Sequence, residues 1–182
     1  MTFTAVLTVH DFDYRPALKN ILEQTRKPDE VLVFVSAHKQ AIELRSDDPS
    51  VRFFIVANKN DWGHEKRALG LRLASCDAIG WFNHDDEYEP VYVEQMMAAL
   101  EDGADVAFCN WSHNGRQNNV RHDTEFAGGN STSGNWIGRT GLIRAVGYHS
   151  RDYSADAHLI DAVAATKPLI TKIHQIVYHH NP

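Results

Sequence analysis

The chain has only two cysteines among its 182 residues, Cys76 and Cys109. They have no metal-ligand spacing and both lie in apolar contexts, which excludes a metal site built on cysteine and reads as core thiols in a reducing cytoplasm. A long hydrophobic run is missing as well. The longest early apolar run, residues 5–9, breaks at His10, so neither a signal peptide nor a transmembrane helix is expected. Nor is positive charge in excess. A net charge of -6 excludes a protein that works mainly by gripping a nucleic acid backbone, though not a local basic pocket for phosphates. Repeats, low-complexity tracts and a dividing linker are all absent. One domain over residues 1–182 is therefore expected, long enough to bury a substantial core.

What is present is an ordinary globular composition, 43% hydrophobic and 23% charged, arranged in alternating periods. Residues 4–9 form a short β-rich run, a first strand. After the loop 10–15, Pro16 suits a first helical turn with Asp13 as candidate cap, and Leu18, Ile21 and Leu22 keep helical spacing. Residues 31–35 are nearly all apolar, as in a central parallel strand. A short helix is expected over 38–44, a third strand over 51–56, a turn-rich loop over 58–63 and a helix over 64–74 with Arg67 near its start. Residues 79–82 make a fourth strand. Pro90 then opens a helix marked by Val93, Met96, Met97 and Leu100, which Asp102 and Gly103 end. This alternation predicts an α/β fold, a mostly parallel sheet with helices on both faces.

The second part differs. A strand is expected over 105–111, a polar functional or disordered loop over 112–133, a short strand over 135–139 and a short helix over 142–146. The last helix starts after Ser154, marked by Leu159, Ile160 and Val163, and residues 168–178 read as a strand or pair of strands. Residues 1–103 are expected to bind nucleotide, and residues 104–182 to carry the acceptor and catalytic part.

Two places carry chemistry. The fourth strand ends abruptly in Asn83, His84, Asp85, Asp86 and Glu87, which puts carboxylates at a strand's carboxyl end, where α/β sheets hold ligands. Such hard oxygens suit Mg²⁺ or Mn²⁺ beside a diphosphate; a solvated acidic turn is the alternative. Asp156 starts the last helix in register with its apolar face, so its carboxylate points towards the packed side. The helix N-terminus favours the ionised form by roughly 0.3–1 kcal/mol. A positioned, ionised carboxylate is what deprotonating a hydroxyl requires. Capping alone is the competing use, one that Asp152 or Ser154 can also serve.

These residues bring a family into view. Pro16, Leu18, Gln24, Pro28, Glu30 and the run 31–33 resemble the opening of family 2 glycosyltransferases, which have the GT-A fold. Asn60 and Gly63 with Arg67 and Gly70 resemble that family's second segment. Phe82, Asn83, Asp85, Asp86 and Pro90 resemble its acidic metal motif, with Asn83 in place of the first acid. Ala155, Asp156 and Leu159 resemble the motif that supplies the catalytic base. The matches run in order over roughly residues 4–165.

The resemblance implies a nucleotide-sugar donor, a UDP-sugar for preference, a divalent cation (Mn²⁺ or Mg²⁺), a carbohydrate or other hydroxyl acceptor, and transfer with inversion. It implies Asp156 as base, Asp85 as metal ligand with Asp86 in support, and a histidine from the late strand, His180 rather than His179, completing the metal site. It puts Arg67 against donor phosphate or base, and Thr8, His10, Ser36 and Asn83 beside the donor. The sequence departs from the family at residues 35–38, where an acid that contacts uracil is missing and Ser36 is its partial replacement. Trp111, Ser133 and Trp136, with His113 and Asn130, flank the long loop as acceptor-side candidates whose rings can stack on sugar faces, with core or loop packing as the commoner use of such tryptophans. Two other readings compete. One is a non-catalytic nucleotide-sugar or glycan binder. The other, a nucleotidyltransferase, suffers from the absence of glycine in residues 10–15.

Overall fold

Two runs that are apolar at nearly every position, Phe3–Val9 (β1) and Glu30–Ser36 (β2), are buried from end to end, as central parallel strands must be. The computed structural model describes residues 1–10, 13–36, 43–57, 61–113, 119–121 (backbone only), 124–149 and 152–181. Between the two strands, helix α1 (Arg15–Leu22) buries Ala17, Leu18 and Ile21, with Pro16 in its first turn. Asp13 accepts the Arg15 amide at 3.1 Å, but Tyr14, not Asp13, holds the cap position. Next come β3 (Val51–Val56), α2 (His64–Leu73), β4 (Ala78–Asn83), β5 (Glu87–Tyr88) and α3 (Tyr92–Glu101). The second part holds β6 (Val106–His113), β7 (Asn119–Arg121), β8 (Trp136–Arg139), α4 (Thr140–Val146), α5 (Ala155–Ala165) and β9 (Ile170–His180). The helix expected over 38–44 lies almost wholly outside the described residues.

The described strands form one nine-stranded sheet in the order β3-β2-β1-β4-β8-β6-β9-β5, with β7 on β6. β3, β2, β1 and β4 pair in parallel. β8 runs antiparallel between β4 and β6, β9 is parallel to β6, and β5 and β7 are antiparallel to their partners. The sheet is thus mostly parallel, as expected, with antiparallel insertions in its second half. Helices cover both faces and two cores result. One gathers Leu7, Phe82, Tyr92 and Met96, the other Trp81, Trp136, Leu71 and Ile160.

Three local expectations change. The short β5 precedes the helix expected at Pro90, which starts at Tyr92. The span 112–133 is not structureless where it is described: β6 runs on to His113, β7 pairs back against it, and Thr132 caps a 3-10 turn at Ser133–Asn135. The last strand, expected over 168–178, runs two residues further, to His180. Both thiols are free, Cys109 buried and Cys76 half-buried. Among the described residues no helix is long and apolar enough to cross a membrane.

Register fixes what meets at the sheet's carboxyl edge. Thr8 of β1 lies beside Phe34 of β2 and Asn83 of β4, and His180 of β9 lies beside His113 of β6. The strand ends therefore deliver Thr8, Ser36, Asn83 and His180 to one edge of the sheet.

Candidate active site

Asn83, the last residue of β4, is held from both sides. Its Oδ1 accepts from Arg67 Nη2 at 2.7 Å and from the Thr8 hydroxyl at 3.4 Å, while its Nδ2 donates to Asp86 Oδ2 at 2.7 Å. That arrangement gives a physical reason for an amide where the family pattern has an acid. A carboxylate here would face Asp86 at hydrogen-bond distance with no proton to share, and like charges so close disfavour ionisation.

Asp86 is a buried hub. Its Oδ1 accepts from His180 Nδ1 at 2.9 Å and from the Asn181 amide at 3.0 Å, and its Oδ2 accepts from Asn83 and from the Tyr178 hydroxyl at 2.7 Å. Burial alone would raise its pKa; the bonds from His180, Asn83 and Tyr178 outweigh that and lower it. Both Asp86 oxygens are engaged by protein donors, an arrangement that favours support of a metal through water over direct ligation. Asp85 is the available carboxylate, 47% exposed, with His84 Nδ1 at 3.8 Å. Burial and then the charge of Asp86 raise its pKa.

The two neighbouring histidines of β9 diverge, as alternate strand residues must. His179 bonds the Ser112 hydroxyl at 2.6 Å through Nδ1 and Glu89 at 3.0 Å through Nε2. His180 turns to Asp86 with Nδ1, and burial, which lowers its pKa, is outweighed by that bond and by the charges of Asp86 and Asp85. Its Nε2 is left for a ligand, and a carboxylate behind the other nitrogen is the usual support for a metal-binding histidine. Asp85 and His180 Nε2 are donors of a type that suits Mn²⁺ or Mg²⁺, but among the described residues no group of three or more His, Cys, Asp or Glu side chains is placed to hold a metal.

Asp156 is the second residue of α5 and its carboxylate is aimed inward. It accepts a short bond from the Tyr148 hydroxyl, and it lies 3.5 Å from His64 Nδ1 and 3.7 Å from Arg67 Nη1. Burial opposes ionisation, but the Arg67 charge and the bonds from His64 and Tyr148 hold the carboxyl well below the usual range. Arg67 is itself buried. It donates to the Trp62 carbonyl at 2.9 Å and to Asn83, so one guanidinium spans from β4 to α5. A cleft of about 380 Å³ brings Arg67, Asn83, Ser133, Asp156 and His180 together.

The other expected residues sort as follows. His10 follows β1 directly with its Nδ1 3.1 Å from Lys66 Nζ, and its pKa is pushed down to about 4 by burial and the charges of Lys66, His84 and Arg67. Ser36 is buried at the end of β2, and its hydroxyl has no partner among the described residues. Ser133 Oγ lies 3.5 Å from Asn83 Nδ2. Trp111 and Trp136 are corrected: both are buried. Trp136 packs on Trp81 and Phe126, and Trp111 donates to the Asn130 carbonyl at 3.0 Å. Neither offers a ring face to an acceptor. His64 and Tyr148 escape a reading of the sequence. They lie in separate segments, and only the packing of α4 against both α2 and α5 brings them to Asp156.

The family model described as Glycosyl transferase family 2 matches residues 14–165. The chain belongs to that family. Among solved structures, the S. aureus TarS 1–349 crystal structure in complex with UDP-GlcNAc is similar with a TM-score of 0.77 at 15% identity, covering 100% of this chain and 59% of that one. The same TarS piece alone gives 0.75 at 13%, and in complex with UDP again 0.75 at 13%. These cover 100% of this chain, and 60% and 61% of the TarS chains. At such identities the likeness is one of fold, the GT-A fold expected for the family. The chain spans about 60% of the length of those structures. A comparison with curated proteins finds no match.

Proposed function

We propose that this family 2 domain transfers a sugar from a UDP-sugar to a hydroxyl acceptor, with inversion and with Mn²⁺ or Mg²⁺ bound. The observation that carries the reading is one cleft in which an ionised, three-partner carboxylate, Asp156, stands with Arg67, Asn83 and His180. Thr8, His10 and Ser36 border the nucleoside side. Asp85 and His180 Nε2 would hold the cation, while Asp86 fixes the ring of His180 and would add its charge from behind. When bound, the cation neutralises charge on the departing diphosphate.

Asp156 takes the proton of the acceptor hydroxyl as that oxygen attacks the anomeric carbon from the side opposite the diphosphate. A single displacement of this kind inverts configuration. Such a depressed pKa makes the carboxylate a weak base, so its contribution rests on placement and on being ionised throughout the working pH range. Free thiols at Cys76 and Cys109 support a reducing compartment.

Asp156→Asn is expected to lower transfer from UDP-sugars by about 10²–10⁴-fold with the fold intact. Asp85→Asn should weaken activation by Mn²⁺. Unchanged rates in both folded variants would sink the mechanism. The second reading, a nucleotide-sugar binder without turnover, draws on Asn83, on the commitment of Asp86, and on one further fact. Among the described residues no group of three or more His, Cys, Asp or Glu side chains is placed to hold a metal. A UDP-sugar that binds in the presence of Mn²⁺ and is never consumed would establish it.

A further inference from the structure

We propose that Trp62 and Tyr153 form an aromatic corner that holds a pyranose ring, so that the acceptor is the end of a glycan; this rests on the transferase reading of the same cleft. Both side chains lie open to solvent, Trp62 55% exposed and Tyr153 79%. Their rings meet edge to face, 5.6 Å apart at 81°. Both line the cleft that contains Asp156. Exposed aromatics beside a carboxylate base are the reverse of what burial of apolar surface favours, and such a placement fits a surface that becomes covered.

The backbone beneath Trp62 is built for presentation. Trp62 has φ 52°, a left-handed conformation uncommon for a bulky residue, and Gly63 follows at φ 83°. The turn is tied down by Asp61, whose carboxylate accepts the amides of Gly63 at 3.2 Å and Glu65 at 2.8 Å. The Trp62 carbonyl accepts from Arg67, the guanidinium that also faces Asp156. The backbone that carries the indole is thus tied to the base through one side chain.

The chemistry of the corner selects the ligand. A pyranose ring has a face of C–H groups, weakly positive, and a rim of hydroxyls. The C–H face suits the negative face of an aromatic ring. The hydroxyls meet Ser131, Thr132, Ser133 and Ser154 along the same cleft, and one of them reaches Asp156. A flexible acyclic polyol has the hydroxyls without the flat face.

The four tryptophans make a direct test available. Trp81, Trp111 and Trp136 are buried, so acrylamide quenching of indole emission reads Trp62. Cellotriose, chitotriose and mannotriose serve as pyranose probes, sorbitol as the acyclic control, and thermal shift by UDP with Mn²⁺ reads the donor side separately. At least one trisaccharide is expected to shield Trp62, with sorbitol inactive. Tyr153→Ala should weaken that binding by about tenfold in the same quenching assay, and Trp62→Ala, which removes the reporter, by about tenfold in calorimetric titration with the same trisaccharide. Leu169→Ala, an exposed apolar residue elsewhere on the surface, should not. Shielding by no trisaccharide, or equal shielding by sorbitol, would overturn the proposal. So would loss of the UDP response in Trp62→Ala and Tyr153→Ala, which would make the pair a nucleobase platform. A parent protein without any UDP response counts instead against the transferase reading, whatever the indole signal does.

Discussion

At the end of β1 the His10 imidazole lies between the Lys66 ammonium, 3.1 Å from its Nδ1, and the ring of His84, and its pKa falls to about 4. In the unfolded chain the ring titrates near its ordinary value, about 6.5. Between those two values the unfolded state takes up a proton that the folded state refuses, so stability falls as pH drops through that window. His10→Asn removes this titration. Urea unfolding at about pH 7 and about pH 5 should then show a smaller loss in the variant than in the parent; equal losses would mean that the ring is not held neutral. Asp86 and Asp156 act in a lower range. Their depressed pKa values give stability above the ordinary carboxylate range that is lost as pH falls through the folded values. His180 has the opposite sign, since its raised pKa gives stability below about 6.5 that is lost as pH rises through the folded value. That carboxylates stand at a strand end and at a helix start was legible in the sequence. What each one touches was not, because Tyr178 and Tyr148 come from distant segments.

At the scale of elements, the start of α2 does two jobs, opening a helix and shaping the rim of the cleft. Gly63 takes the left-handed cap position, and a Cβ there would lie 2.9 Å from His10 Nε2. Asp61 does the capping from two residues upstream through the amides of Gly63 and Glu65. Asp61→Ala should therefore destabilise by about 1 kcal/mol, as loss of a helix cap does. Gly63→Ala should cost more, because the left-handed backbone and the contact with His10 add. Chemical denaturation of both variants gives the order, and a Gly63→Ala milder than Asp61→Ala would contradict it. Elements of this kind were partly readable. The apolar runs at 31–35 and 79–82 and the 3.6 period of Val93, Met96 and Met97 marked strand and helix, since burial writes its pattern locally. The two-residue β5 left no comparable mark, and β8 was legible as a strand over 135–139 but not in its reversed direction. Their pairing depends on which strand lies opposite, and period says nothing about that. The same limit put Trp111 and Trp136 on the wrong side of the surface, while Trp62 passed as one residue of a turn.

Across the whole molecule, the parallel half of the sheet and the mixed half meet at β4, and Arg67 joins them. Its guanidinium reaches Asn83 at the end of β4, the turn before α2 through the Trp62 carbonyl, and Asp156 on α5. Arg67→Gln keeps a donor towards Asn83 but removes the charge that faces Asp156. Loss of a buried counter-charge should cost about 3 kcal/mol of stability. It should also raise the pKa of Asp156, because the Arg67 charge is the largest influence that holds it down. Because only the ionised carboxylate can accept a proton, the acid limb of kcat/KM should move up towards neutral pH in the variant, while in the parent it lies below the accessible range. Tyr148 and His64 still contact the carboxylate, so the shift measures Arg67 alone. A limb that stays in place while stability falls would assign the low pKa to those two residues, and would leave Arg67 as a brace between the two halves of the sheet.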